Sequence, residues 1–232
     1  MFKEESTMSH AVNIAIDGPA GAGKSTIAKR LAAELGYIYV DTGAMYRALA
    51  LYFLEHSVFL DDEAAIESVL PQISVSLGYQ DGAQRVYLNE EDVSDRIRKE
   101  EIGNAASKTS AYPKVREKLL SLQRNLAEEN DCIMDGRDIG SFVLPNAEVK
   151  IFLTASVEVR AKRRFDELKE KGEAAELSQI AEDIRVRDEQ DMNRSVAPLV
   201  QAEDAVLLDS SGLSIDEVVA AIHRIIAERR TA

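Results

Sequence analysis

The segment from Ile14 to Gly36 reads IAIDGPAGAGKSTIAKRLAAELG. An apolar run, Val12 to Asp17, stops at a glycine-rich turn, and a helical pattern opens at Lys24. Gly18, Pro19, Ala20, Gly21, Ala22, Gly23, Lys24 and Ser25 fit the spacing G-x-x-x-x-G-K-[ST]. Such a loop wraps phosphate in backbone N–H groups, and side chains would obstruct the approach. The helix beginning near Lys24 aims its positive end at the same anion. Lys24 then reaches the β- and γ-phosphates of a nucleoside triphosphate, Ser25 ligates Mg²⁺, and Thr26 adds a further phosphate contact. By itself the loop does not separate a GTPase, an ATPase motor and a kinase.

Five short apolar runs look like buried parallel strands: VNIAID (12–17), YIYVD (37–41), CIMD (132–135), VKIFLTA (149–155) and AVLLD (205–209). Helical patterns separate most of them. In the last, Ile215, Val218, Val219, Ile222, Ile225 and Ile226 recur on one helical face. Strands alternating with helices imply an α/β fold, a parallel sheet covered on both faces. One region breaks the rhythm: ISVSL (73–77) and RVYL (85–88) alternate around GYQDGAQ, and EDVS follows. That pattern predicts a small antiparallel hairpin or meander turning at Asp81-Gly82, flanked by the helical stretches DDEAAIESVL and DRIRKEEIGNAASK. Residues 60–110 read as an insertion on a core of 11–59 and 111–232. Residues 1–10, MFKEESTMSH, read as a disordered extension without the apolar stretch of a signal peptide.

Hydrophobic residues make up 45% of the 232, enough for a proper core. Acidic residues outnumber basic ones, 41 to 28, for a formal charge of −13. That balance argues against a nucleic-acid or anionic-membrane surface, although a local basic pocket can still hold a small anion. No run approaches the roughly 20 apolar residues of a membrane span. Cys132 is the only cysteine, so no intrachain disulfide forms, as suits a reducing cytosol. It reads as a core residue. His10, His56 and His223 show no metal-ligand spacing with one another or with Cys132.

Four stretches carry charge that a plain α/β scaffold does not require. DTGAMYR, after the second strand, brings Thr42 and Arg47 to its carboxyl end, and VREKLLSLQR puts Arg116 on a helix. DGRDIG ends the third strand with Asp135, Arg137 and Asp138. RDEQDMNR places Arg187, Asp191 and Arg194 at i, i+4 and i+7, one face of a late helix. In doubly wound sheets, ligands sit beyond the carboxyl ends of the strands, and paired arginines there suit a second anionic ligand.

Taken together, GPAGAGKST, DTGAMYR, VREKLLSLQR, DGRDIG, RDEQDMNRSVAPL and DAVLLDSSGLS resemble the bacterial cytidylate kinases, over nearly the whole chain from Val12 to Ile226. The resemblance implies a P-loop nucleoside-monophosphate kinase fold: a five-stranded parallel sheet flanked by helices, with a small antiparallel-sheet insertion and a short lid at about 156–172. It implies ATP-dependent phosphorylation of CMP and dCMP with Mg²⁺, in a cytoplasmic monomer whose partners are these small molecules. The catalytic cations are then Lys24, Arg137 and Arg194. Arg47, Arg137 and Arg194 grip the acceptor phosphate, with Thr42 close by. Arg187 and Asp191 meet the ribose, while Ser107, Arg116 and Asp138 read the base. Arg160, Arg163 and Arg164, at i, i+3 and i+4 in the lid, close over ATP. Asp135 either positions Mg²⁺ through water or braces the loop, and Tyr46 reads as core packing. Among other classes, a GTP-dependent switch needs a guanine-reading Asn-Lys-x-Asp segment after an apolar strand, and none is present. An adenylate kinase is disfavoured by the short lid and by RDEQDMNR.

Overall fold

The computed structural model describes residues 11–230; the expected N-terminal extension, 1–10, lies outside them. The chain runs β1 (Asn13–Asp17), α1 (Lys24–Leu35), β2 (Ile38–Asp41), α2 (Thr42–Glu55), α3 (Glu63–Val69), β3 (Val75–Gln80), β4 (Ala83–Leu88) and β5 (Glu91–Asp92). It continues through α4 (Glu100–Thr109), α5 (Pro113–Glu129), β6 (Cys132–Gly136), β7 (Val149–Thr154), α6 (Val157–Glu170), α7 (Leu177–Met192), β8 (Val206–Asp209) and α8 (Ile215–Arg230). Five strands form a parallel sheet in the order β2-β6-β1-β7-β8. Every residue of β1 and β6 is buried, as a sheet covered on both faces requires. The chain moves to one side of β1 to make β2 and to the other to make β7 and β8. The topological switch point therefore falls beside β1, and a crevice opens beyond the carboxyl ends of the strands.

Each face of the sheet has its own core. On one, Ile27 and Leu31 of α1 and Val218 and Ile222 of α8 pack on Ile14, Ile16 and Ile151. On the other, Met45, Leu49 and Phe53 of α2 meet Leu119 of α5 and Met134 of β6. This second core continues without a break into Ile66, Val86, Leu88 and Ile102. The antiparallel sheet β3-β4-β5 thus packs on α2 and shares its core. Its hairpin turns where the sequence places it: Asp81 and Gly82 both have positive φ, 52° and 75°, the backbone that a two-residue primed turn demands. Cys132 is fully buried, and its thiol donates to Asn13 Oδ1 at 3.0 Å.

Three helical expectations need correction. Arg194 is not on the late helix: α7 ends at Met192, with Asn193 as its cap. The stretch DRIRKEEIGNAASK is a short 3₁₀ turn, Arg96–Arg98, then an extended Lys99, then α4. In α8, Ile215 is exposed while Val218, Val219, Ile222 and Ile226 are buried; the first residue of the helix lies beyond the edge of the core it would face. Among the described residues, no helix is long and apolar enough to cross a membrane.

Candidate active site

The β1–α1 loop sits in the middle of the sheet. Gly18 has φ +147°, and a Cβ there would lie 1.9 Å from the carbonyl oxygen of Leu153 on β7; only glycine lets β1 turn so close to its neighbour. Lys24 opens α1 and is buried, and its Nζ donates to the carbonyls of Gly18 (2.7 Å) and Pro19 (2.8 Å). Burial and the nearby Arg137 guanidinium hold this ammonium below the usual lysine range, against the pull of Asp135 and Asp17. Ser25 Oγ donates to Asp135 Oδ2 at 2.8 Å, and the Tyr39 hydroxyl donates to Asp135 Oδ1 at 3.0 Å. Burial and Asp41 push the Asp135 carboxyl above its ordinary range, opposed chiefly by Lys24. Hydroxyl and carboxylate together offer the hard oxygen donors that suit Mg²⁺. That ion typically takes one or two protein carboxylates plus phosphate oxygens and waters.

Beyond the loop lies a cavity of about 260 Å³. Lys24, Arg47, Arg116, Arg137, Arg187 and Arg194 bring six cationic side chains to it; Asp41, Asp135, Asp138 and Asp191 bring four carboxylates. The formal excess of two positive charges stands inside a chain of −13. Five separate stretches of sequence supply these cations. Arg47 of α2 pairs with Asp41 at 2.9 Å, and Asp41 also caps α2 by accepting the Ala44 N–H at 2.9 Å. Thr42 Oγ1 donates to the Asp135 carbonyl at 2.8 Å, which locks the start of α2 to the end of β6.

Asp191 is the hub of the opposite wall. It is fully buried and accepts from Arg137 Nε (2.7 Å) and from Arg194. Burial alone would raise its pKa, but Arg137 and Arg194 outweigh it and hold the carboxylate ionised. Arg194 reaches the cavity although it lies beyond α7, because its guanidinium is held by Asp191 and by Ser110 Oγ at 3.0 Å. Burial, with Arg137 beside it, lowers Arg187 to about 10.

The third wall is the buried pair of Arg116 on α5 and Asp138 after β6. Burial raises the Asp138 carboxyl despite Arg116. Ser107 of α4 lines the same space. Four buried polar atoms of cavity residues have no hydrogen-bond partner: Arg47 Nε, Ser107 Oγ, Arg116 Nε and Arg187 Nε. An unpaired buried polar group costs about 1–3 kcal/mol, so orphaned atoms gathered in one cavity fit a polar ligand. Tyr46 lines the cavity as well as packing on the core, with Arg116 5.6 Å from its ring centre.

The lid arginines divide. Arg160 is buried and donates to Ala20 O (3.0 Å), Ala155 O (2.9 Å) and both oxygens of Asp188 on α7 (3.1 and 2.6 Å). Arg163 donates to Ala22 O (3.4 Å) and Ser210 O (2.9 Å). Arg164 points elsewhere, to Glu167 at 3.0 Å and Glu100 at 3.6 Å. Asp41 and Asp17 are among the site residues that the sequence did not reveal. Asp41 grips Arg47, and Asp17 accepts the N–H groups of Ile139 (2.8 Å) and Gly140 (2.7 Å). Both stand at the ends of predicted strands, and that position was their only sequence signal.

A lysine- and serine-bearing phosphate loop at the switch point of a parallel sheet, with a cationic cavity beside it, defines the P-loop phosphate-binding class. Comparison with known proteins narrows this class. The sequence model of the family described as cytidylate kinase matches residues 14–228. A cytidylate kinase of Halalkalibacterium halodurans is 51% identical over 94% of this chain and 98% of its own length. One of Caldicellulosiruptor bescii is 52% identical over 90% and 92%. Among solved structures, an uncharacterized protein from Eubacterium ventriosum shares the fold at a TM-score of 0.52 and 12% identity, covering 93% of this chain and 98% of that one. The chain belongs to the cytidylate kinase family; it is an enzyme, a nucleoside-monophosphate phosphotransferase.

Proposed function

We propose a division of labour for the ATP-dependent phosphorylation of CMP and dCMP by this chain. ATP lies on Gly18–Thr26, with its β- and γ-phosphates on the loop amides and Lys24. Ser25 and Asp135 would hold Mg²⁺, which when bound would neutralise charge on the phosphate oxygens. The acceptor phosphate takes Arg47, Arg137 and Arg194 as partners in place of Asp41 and Asp191. Because the transition state spreads charge over the transferred group, fixed cations on both sides supply most of the rate. The chain's own part is to align donor and acceptor and to exclude water, which would otherwise receive the phosphoryl group. Arg160 and Arg163 serve the donor side through the loop carbonyls. The 60–110 insertion and the lid at 156–172 close over the two substrates, in a cytoplasmic monomer.

Arg187 and Asp191 face the ribose. Cytosine offers an amino donor at N4 and acceptors at N3 and O2, complementary to the Asp138 carboxylate and to the donors Arg116 and Ser107. Uracil presents a carbonyl where cytosine has its amino group and sets it against Asp138. The observation that carries this reading is the meeting of Arg116, Asp138 and an unpartnered Ser107 Oγ in the cavity that holds the other arginines. Asp138→Ala lowers kcat/KM for CMP about ten- to a hundredfold, the value of one lost buried partner, while KM for ATP barely moves. Steady-state kinetics with CMP and UMP measure it, and wild-type efficiency on CMP in the variant would overturn the assignment.

A further inference from the structure

Arg137 and Asp138 lie between two anchor points, and one residue makes both. Before them, β6 runs paired with β1 as far as Gly136, whose register partner is Asp17. After them, the Asp17 carboxylate accepts the backbone N–H groups of Ile139 at 2.8 Å and Gly140 at 2.7 Å. Asp17 thus holds the strand on one side through its backbone and the turn on the other through its side chain. The two amides open a π-helical turn, Ile139–Val143, which Asp138 precedes without capping it by its own side chain. The Asp138 side chain is engaged with Arg116 instead. The backbone of Asp138 lies at φ −146°, ψ 25°, outside the helical and extended regions, so its direction depends on what holds its neighbours.

A carboxylate matches two N–H donors, whereas an amide or hydroxyl in its place offers fewer acceptor sites. The charge is an awkward choice in other respects. Asp17 is buried and precedes Gly18, the first residue of a loop that receives polyanions. A buried negative charge there opposes phosphate binding by simple repulsion. Its two short bonds to the amides beyond Asp138 supply the counterweight.

We propose that Asp17 is a positioning residue for the acceptor nucleotide. Its carboxylate sets the direction of Arg137 and Asp138, and so ties selection of the base to the strand that carries the donor loop. The inference rests on the assignment of Asp138 to the base.

The test compares kcat/KM for CMP and for UMP in the wild type, Asp17→Asn, Asp17→Ser and Asp138→Ala, and follows amide hydrogen exchange at Ile139 and Gly140. Asp17→Asn keeps the shape and removes one acceptor; Asp17→Ser serves if the amide variant does not fold. Loss of one charge-assisted bond predicts a fall of about tenfold in the CMP-to-UMP ratio. Exchange at the two amides quickens, and KM for ATP does not rise, because loss of the Asp17 charge only relieves repulsion at the phosphate loop. A variant that quickens exchange yet keeps the ratio, or that lowers both efficiencies in proportion, overturns the inference. Wild-type amides at 139 and 140 that exchange as fast as exposed loop amides do so without any variant. If Asp138→Ala itself keeps the ratio, the reading of Asp138 falls and the inference with it; if Asp138→Ala loses the ratio and Asp17→Asn keeps it, the inference alone falls.

Discussion

At Asp17, burial lifts the carboxyl from 3.8 to about 7, even with the N–H groups of Gly140 and Ile139 pulling the other way. Between those two values the folded chain keeps a proton that the unfolded chain has released. Stability therefore falls as pH rises from about 4 to about 7, by up to ~1.4 kcal/mol per pH unit from this one group. Asp17→Asn removes the titration and flattens that part of the profile. Urea unfolding of both proteins at pH 5 and pH 7 measures the difference; equal changes with pH in the two would contradict it. The residue's place beside a phosphate loop was visible in the sequence, but its partners were not. Ile139 and Gly140 lie more than a hundred positions away, and only the pairing of β1 with β6 brings them within reach. Asp41 differs: its partners are local, since it caps α2 at Ala44 and meets Arg47 six positions on.

Elements whose side-chain period differs sharply from their surroundings were legible: five apolar runs became β1, β2, β6, β7 and β8, and the Asp81-Gly82 hairpin fell where its turn residues put it. Element ends were harder to see. Asp191 and Arg194 keep a helical spacing to Arg187, yet the helix is capped at Asn193 and Arg194 is held by its bonds to Asp191 and Ser110. The lid arginines share a helical spacing but not a destination, since only Arg160 and Arg163 meet the carbonyls of the phosphate loop. That loop is itself fixed by contact with β7. Gly18→Ala forces a Cβ to 1.9 Å from Leu153 O, so the backbone must move. The expected result is destabilisation of about 2 kcal/mol or more, the scale of a backbone clash, together with weakened ATP binding. Melting curves and ATP titration check it; a wild-type Tm and affinity would show that the close approach does not matter.

Across the whole molecule, charge and topology work in opposite senses. The surface is strongly acidic, while the switch point gathers six cations into one cavity, each arginine held by a carboxylate or left with an unpartnered nitrogen. Such an acidic chain repels nucleic acid in general, while its cationic cavity suits small anions. Residues 60–110 do not stand apart from this cavity: Ser107 lines it, and their core is continuous with that of α2, the helix that carries Thr42 and Arg47. The most direct test of a cavity shaped for cytidine monophosphate opposite ATP is the rate of ADP formation with ATP, Mg²⁺ and a panel of CMP, dCMP, UMP, AMP and GMP at matched concentrations. CMP and dCMP should exceed UMP by at least about tenfold in kcat/KM, the value of one mismatched buried polar contact; UMP or AMP turning over as fast as CMP would contradict the account.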